Sequence, residues 1–398
     1  MPNTRPLLAV ALALVAQFAA ATRVHAEPPP TFTSAETAGA RLFYEGNIPI
    51  AVLAGMPADI GRQHAVLLAK PAARALAFPK RFAVDMGAER FWPLMVFMGH
   101  ALVAHAPEGH RQELAALSAT SKLDAGEIAV GNTLLELRRM GCSALVVEPE
   151  HSVTGGPLFG RNFDFPTLGE LDQYSLLFVV RPTGRHAFAS VTFPAAVGVV
   201  SGMNDAGLAV ATLDVYESAD GSSQFNPAGT PLAFVFRRLL EECTTVAEAE
   251  ALLRAEKPTT WMNLAVCDRD SSAVFEITPA RIGRRDADHG VLACTNHFRT
   301  AGLAPGTDDG VTIAGGSPDD SVARCRRYPL LAAAADQPPL TIEQVRAYLH
   351  QANQGEFTLQ TMVFEPRALK LHLAIGKPPT SDDALTTIDL APLFAPED

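Results

Sequence analysis

The sequence predicts an α+β protein in which a mainly helical front part precedes layered, mostly antiparallel sheets. Apolar residues recur at helical spacing through the first third of the chain, and from Gly141 onward short apolar runs alternate with Gly, Pro and Asp turns. The later helices fall in bunches between runs of strands, which implies packed layers rather than a βαβ winding. With 398 residues, 48% of them hydrophobic and 19% charged, the chain is long enough to bury a large core.

Taken in order, the first residues stand apart from the fold. Arg5 is followed by an apolar run from Leu7 to Ala21, then by the small-x-small pattern Val24-His25-Ala26, Glu27 and three prolines. This reads as a secretory signal peptide over 1–26, removed after Ala26. The apolar run is shorter than the ~20 residues a spanning helix needs. The mature chain is therefore expected to be secreted or periplasmic, with no transmembrane segment. Residues 27–141 are expected to form a mainly helical prosegment and 142–398 the catalytic part.

Within the prosegment, Ile48 to Leu53 reads as a strand. Pro57 opens a helix expected to run to about Lys70, just before Pro71. Phe91 to His105 is apolar nearly all round and is expected to be a buried helix. Two amphipathic helices follow, Pro107 to Leu117 and Ala125 to Met140, the second with Asp124 as N-cap and Glu127 three residues on. Strands are expected from Ala144 to Val147, Leu176 to Arg181, Ala187 to Thr192, Gly198 to Met203 and Leu208 to Asp214. Helices around Leu232 to Cys243 and Val246 to Ala255 precede strands near Asn263, Ala273 and Val291. Two further helices, from about Ser321 and Ile342, lead to a terminal hairpin turning at Pro366.

The net charge of -11 argues against a nucleic-acid partner, whose phosphates need clustered Lys and Arg. The five cysteines are Cys142, Cys243, Cys267, Cys294 and Cys325, so in an oxidising compartment at least one thiol stays unpaired. Spacing leaves the pairing among the last four open. His100, His105 and His110 are five apart, the wrong interval for one helix face, so neither a metal nor a cofactor is expected.

The chemistry-bearing elements begin at Gly141-Cys142, where helices give way to strands. A thiol following a glycine can attack that glycine's carbonyl, and hydrolysis of the resulting thioester releases a new N-terminus at Cys142. An N-terminal Cys carries its own general base, an α-amino group with an unperturbed pKa of about 8. Gly160-Arg161-Asn162-Phe163-Asp164-Phe165 places an Arg and an Asp three apart, which is either a strand end with a surface Arg and a turn Asp, the reading the residues alone favour, or a pair that converges on Cys142. A nearby guanidinium favours the thiolate, and a carboxylate can hold the α-amino group. Phe163, a neighbour on the same strand, is expected to point to the other face and to matter little. In Gly202-Met203-Asn204-Asp205-Ala206-Gly207-Leu208, Asn204 is either a hairpin turn former or a side-chain donor to an oxyanion. In Cys294-Thr295-Asn296-His297-Phe298, Asn296 is either a strand terminator or a second such donor. The run Ser321-Val322-Ala323-Arg324-Cys325-Arg326-Arg327 opens a helix with an N-cap Ser and several arginines.

Together and in this order, these elements resemble the N-terminal-nucleophile (Ntn) hydrolases of the linear-amide group: penicillin acyltransferase, choloylglycine hydrolase, acid ceramidase and N-acylethanolamine acid amidase. The long prosegment and Gly55-x-Pro57-x-x-Ile60-Gly61 are most similar to the penicillin acyltransferase branch. The resemblance implies a four-layer αββα sandwich with an N-terminal helical prosegment. It implies Cys142 as nucleophile, Arg161 and Asp164 as the pair that polarises and orients it, and Asn204 and Asn296 as oxyanion and substrate-orienting amides. Arg324 is the implied supporting arginine, in an uncertain register because Arg326 and Arg327 lie beside it. Ser143 and Phe165 depart from the Thr and Trp common at those places. The implied activity is hydrolysis of a small N-acyl amide through an acyl-thioester, after self-cleavage at Gly141-Cys142. Acyl transfer to an amine and a catalytically silent binding protein on the same fold are the alternatives.

Overall fold

A computed structural model describes residues 32–136, 141–305 and 325–396. The expected signal peptide and Arg324 lie outside these residues. Among them, ten strands form one sheet, in the spatial order Ala35–Thr37 (β1), Ala40–Glu45 (β2), Ile48–Gly55 (β3), Leu176–Pro182 (β6), Phe188–Thr192 (β7), Ser201–Asn204 (β8), Ala209–Asp214 (β9), Met262–Cys267 (β10), Ser272–Ile277 (β11) and Ile282–Arg285 (β12). A second sheet of six runs Val291–Cys294 (β13), Gly141–Val147 (β4), Leu158–Asp164 (β5), Thr358–Glu365 (β14), Lys370–Ile375 (β15) and Thr386–Asp389 (β16). Neighbours pair antiparallel except β3 and β6, which are parallel.

Three buried clusters define the layers. One lies between the sheets and joins Ile50 and Val52 of β3, Cys142 and Val146 of β4, Ala211 of β9 and Met362 of β14. A second fills the outer face of the larger sheet, under helix α1 (Pro57–Asp85), α5 (Leu232–Glu242) and α6 (Val246–Ala255). The third packs Leu145 and Val147 against α7 (Arg327–Ala332) and α8 (Ile342–Gln351). The order is helix, sheet, sheet, helix, the αββα arrangement expected. Alternation along β4 explains it: residues 142, 144 and 146 face the other sheet and residues 145 and 147 face the helices.

Several elements differ from the sequence expectation. The part before Gly141, expected to be mainly helical, contributes β1, β2 and β3 to the larger sheet and is tied to the part after it through the β3–β6 pairing. Helix α1 does not stop before Pro71 but runs to Asp85 through Pro71 and Pro79, both buried. A mid-helix proline costs roughly 3 kcal/mol in isolation, and packing of the buried face of α1 outweighs it. The apolar helix α2 (Trp92–Val103) forms but buries only Gly99 and Leu102, leaving Leu94 and Phe97 exposed. It rides on the outside of the helical layer, where Gly99 lets it approach the backbone of Ala129 and Val130. Helix α3 (Glu108–Ser121) packs along α1, and α4 is Ala125–Asn132 rather than a helix reaching Met140. Asp124 caps α4 as expected, accepting from Glu127 N at 2.9 Å.

Candidate active site

Cys142 is the second residue of β4, fully buried, and it is held on three sides. Its backbone N–H donates to Asn296 Oδ1 at 2.8 Å. Its carbonyl accepts from Arg327 Nη1 at 2.5 Å, and the same guanidinium reaches Ser143 Oγ at 3.2 Å and Asn296 Oδ1 at 3.0 Å. Asn296, just beyond β13, also donates through Nδ2 to Asp214 O at 2.9 Å, tying the small sheet to the end of β9.

The thiol faces the space between the sheets. Directly opposed residues of an antiparallel pair share a face, and Cys142 opposes Phe163 while Ala144 opposes Arg161. Phe163 therefore lies on the thiol's side, not the other. Its ring sits 5.2 Å from the Arg161 guanidinium carbon. Arg161 is fully buried; Nη1 donates to Thr212 O at 2.7 Å, whereas Nε and Nη2 have no hydrogen-bond partner among the described residues.

Arg161 and Asp164 do not converge from one side. Three residues apart on a strand means opposite faces, so the Asp164 carboxylate lies on the helix side, where Asp164 pairs with Gly141. Thr358 Oγ1 donates to its Oδ1 at 2.6 Å and Gln354 Nε2 to its Oδ2 at 2.7 Å. Burial raises the Cys142 pKa, Arg161 opposes that shift and the charge of Asp164 adds to it. Desolvation wins, so the intact chain holds a thiol rather than the thiolate that an adjacent guanidinium alone predicts. Cys294, whose residue pairs with Ala144, is pushed up to about 12, chiefly by burial. His297, the residue after Asn296, is lowered to about 3 by burial and then by Arg299 and Arg327. All five cysteines are free and buried.

The structure does not bring Asn204 to this cluster. Its Oδ1 accepts from Ala206 N (3.1 Å) and Leu208 N (2.8 Å), and its Nδ2 donates to Leu240 O (3.0 Å) and Cys243 O (2.8 Å). Asn204 closes the β8–β9 turn and caps the C-terminus of α5. At about 3.4 Å per residue, the length of β9 separates that turn from Asp214 by roughly 17 Å. The turn-former reading is the one this geometry fits. Arg324, the arginine the resemblance implies, lies outside the described residues; Arg327, three positions on, is the one whose guanidinium reaches Cys142 O, Ser143 Oγ and Asn296 Oδ1. Gln354 and Thr358 had no local signal, because they reach Asp164 from 190 and 194 residues away in sequence.

A cavity of about 110 Å³ opens beside Phe163. Phe78, Phe163, Phe165, Leu171 and Phe193 line it, and Ala75, Leu76 and Leu134 of the prosegment supply one wall.

Residues 152–380, more than half of the sequence, match the family model described as acyl-coenzyme A:6-aminopenicillanic acid acyl-transferase. The chain belongs to that family. It is thus an Ntn-type enzyme of the linear-amide C–N hydrolase group, with acyl transfer within the same chemistry. The match begins ten residues beyond Cys142. No curated protein sequence matches the chain significantly. Among solved structures, a conjugated bile acid hydrolase variant from Clostridium perfringens is similar at 15% identity, covering 64% of this chain and 95% of that one, with a TM-score of 0.45. A Caenorhabditis elegans N-acylethanolamine-hydrolyzing acid amidase ortholog is similar at 16%, covering 63% and 100%, TM-score 0.43. Penicillin V acylase from Agrobacterium tumefaciens is similar at 14%, covering 59% and 82%, TM-score 0.40.

Proposed function

We propose that this chain is an exported cysteine Ntn hydrolase that cleaves itself at Gly141-Cys142 and then hydrolyses a linear N-acyl amide. The observation that carries the reading is the triple hold on Cys142: Asn296 on its nitrogen, Arg327 on its carbonyl, Arg161 beside its sulfur. Structural cysteines need none of these.

In maturation, Sγ of Cys142 attacks the Gly141 carbonyl carbon. The C–N bond breaks, the thiol proton passes to the Cys142 nitrogen, and a thioester remains. Water then adds to the thioester carbonyl, releasing Gly141 as a carboxylic acid and regenerating the thiol beside a free α-amino group. That amine, held by Asn296 Oδ1, serves as general base in turnover. It takes the thiol proton as Sγ attacks the substrate carbonyl, then gives it to the departing amine. Water completes deacylation. The unpaired N–H groups of Arg161 favour the negative charge that develops on sulfur when the proton leaves.

The acyl group enters the aromatic cavity. A dry apolar cavity of about 150 Å³ holds a benzene ring, so the volume of about 110 Å³ seen here fits a short aliphatic acyl chain, and an aryl group only if the phenylalanine walls move. Export rests on the leader over 1–26, which places the enzyme in the periplasm or outside the cell. Transfer of the acyl group to an amine is the second reading, which the family's acyl-transferase description favours. Intact-mass measurement tests maturation: two chains, ending at Gly141 and beginning at Cys142, are expected. A fully active single chain overturns the mechanism. Assay of arylacyl, hexanoyl and palmitoyl amides, with and without an added amine, then reads the acyl class and the acceptor.

A further inference from the structure

We propose that Gln354 is a positioning residue for self-cleavage, clamping Gly141 and its cross-strand partner Asp164 together beside the scissile bond. This rests on the self-cleavage reading above.

The argument starts at Gly141. Its φ is outside the left-handed region, so the backbone does not require glycine there. Space does. A Cβ built on Gly141 would lie 2.0 Å from Gln354 Nε2, 2.9 Å from Cδ and 3.0 Å from Oε1. The NH2 edge of the Gln354 carboxamide therefore points at Gly141, in the place a side chain would take. The same Nε2 donates to Asp164 Oδ2 at 2.7 Å, and Asp164 is the cross-strand partner of Gly141. Gln354 is itself anchored, its backbone N–H donating to Thr358 Oγ1 at 2.8 Å, and that hydroxyl donates to Asp164 Oδ1 at 2.6 Å. Gln354 and Thr358 thus bind both oxygens of one carboxylate, and Gln354 adds a steric stop against the residue whose carbonyl is attacked.

A hold of this kind restricts the Gly141 carbonyl relative to Sγ of Cys142, the geometry on which the N-to-S shift depends. Small displacements in such an intramolecular attack cost large factors in rate. Gln354 does not enter the bond changes: the C–N bond breaks, the C–S bond forms and the proton moves from sulfur to nitrogen without it. It also accounts for a glycine at the cleavage site by a contact made from the far end of the chain, not by turn geometry.

The experiment follows self-cleavage of full-length precursor by intact mass, with the thermal transition recorded for every variant. Gln354→Ala is expected to slow cleavage at least 10-fold with an unchanged thermal transition. Gln354→Met, which keeps length without the amide, is a second variant should the first fold poorly. Gly141→Ala is expected to block cleavage in the wild-type background, yet to add no further slowing to Gln354→Ala, because the clash is gone. Gln354→Glu sets a second carboxyl against Asp164. Its rate relative to wild type should rise as pH falls, when a shared proton restores the hydrogen bond; a merely structural role leaves that ratio flat. Folded Gln354→Ala that cleaves at the wild-type rate, or independent effects of the two alanines, overturns the proposal while self-cleavage stands. A wild-type chain that never cleaves overturns both.

Discussion

Asn204 and Asn296 are the same residue type, both fully buried near a strand end, and both answer to a motif of the same family. They do different work. Asn204 spends its four hydrogen bonds on its own turn and on the last carbonyls of α5. Asn296 turns its carbonyl to the nitrogen of Cys142 and to Arg327, residues 154 and 31 positions away. One amide stabilises local chain geometry; the other joins elements that only the fold brings together. A buried asparagine is thus read by what its Oδ1 accepts from, not by the motif around it.

The most drastic way to probe the cluster is Cys142→Ala, which should leave a folded single chain with no measurable turnover, since in the proposed mechanism one thiol serves both maturation and catalysis. Activity surviving in that variant, checked for folding by its thermal transition, would redirect the assignment to another group. Next, Asn296→Ala should lower kcat of the folded enzyme roughly 100-fold, the scale of a lost polar contact at a reacting centre, besides the stability lost by stranding Cys142 N–H, an Arg327 N–H and Asp214 O. Asn204→Ala should cost stability alone. It strands two N–H groups and two carbonyls, so stability should drop by about 2–4 kcal/mol while kcat of the folded enzyme stays near wild type. Equal kcat losses in the two variants would erase the distinction drawn above.

Phe163→Leu is a smaller test. Because Phe163 shares the thiol's face and the cavity wall, KM for an aryl amide should rise about 10-fold with kcat less affected. The weakest effect is on acid stability. Burial lowers His64 to about 3, and its Nε2 accepts from Ala195 N at 2.8 Å, so the folded chain keeps it neutral. The unfolded chain binds that proton below about pH 6.5. Stability should therefore be full above that pH and fall as pH drops toward 3, by up to about 1.4 kcal/mol per unit for this histidine. Denaturation midpoints of wild type and His64→Gln between pH 7 and 4 should diverge in that sense.

How the chain folds was legible where pattern is local. The apolar run of β4, the β14–β15 hairpin, the cap at Asp124 and the change of character at Gly141 all announce themselves within a few residues. Patterns that depend on neighbours did not. Pro71 reads as a helix end, yet α1 continues through it and through Pro79 because its buried face packs on the sheet and on α3. The apolar run of α2 reads as core, yet it lies outside because α4 offers it only the shallow seat at Gly99. β1 and β2 are too short and mixed to be recognised before β3 supplies the edge they extend.

By itself, the sequence determined the layered α+β class, the place of Cys142 at the start of a strand and the residue types that can act on it, because those follow from periodicity and from chemistry carried in short motifs. The tertiary structure decided which of them meet. It put Arg161 and Phe163 on the thiol's side and Asp164 behind Gly141, since strand parity fixes faces only once the register with β4 is set. It brought Asn296 and Arg327 to Cys142 from 154 and 185 positions along the chain, set Gln354 against Gly141, and kept Asn204 at the far end of β9. Contacts over such separations are settled by how the sheets and helices pack, and no short stretch of sequence holds that information.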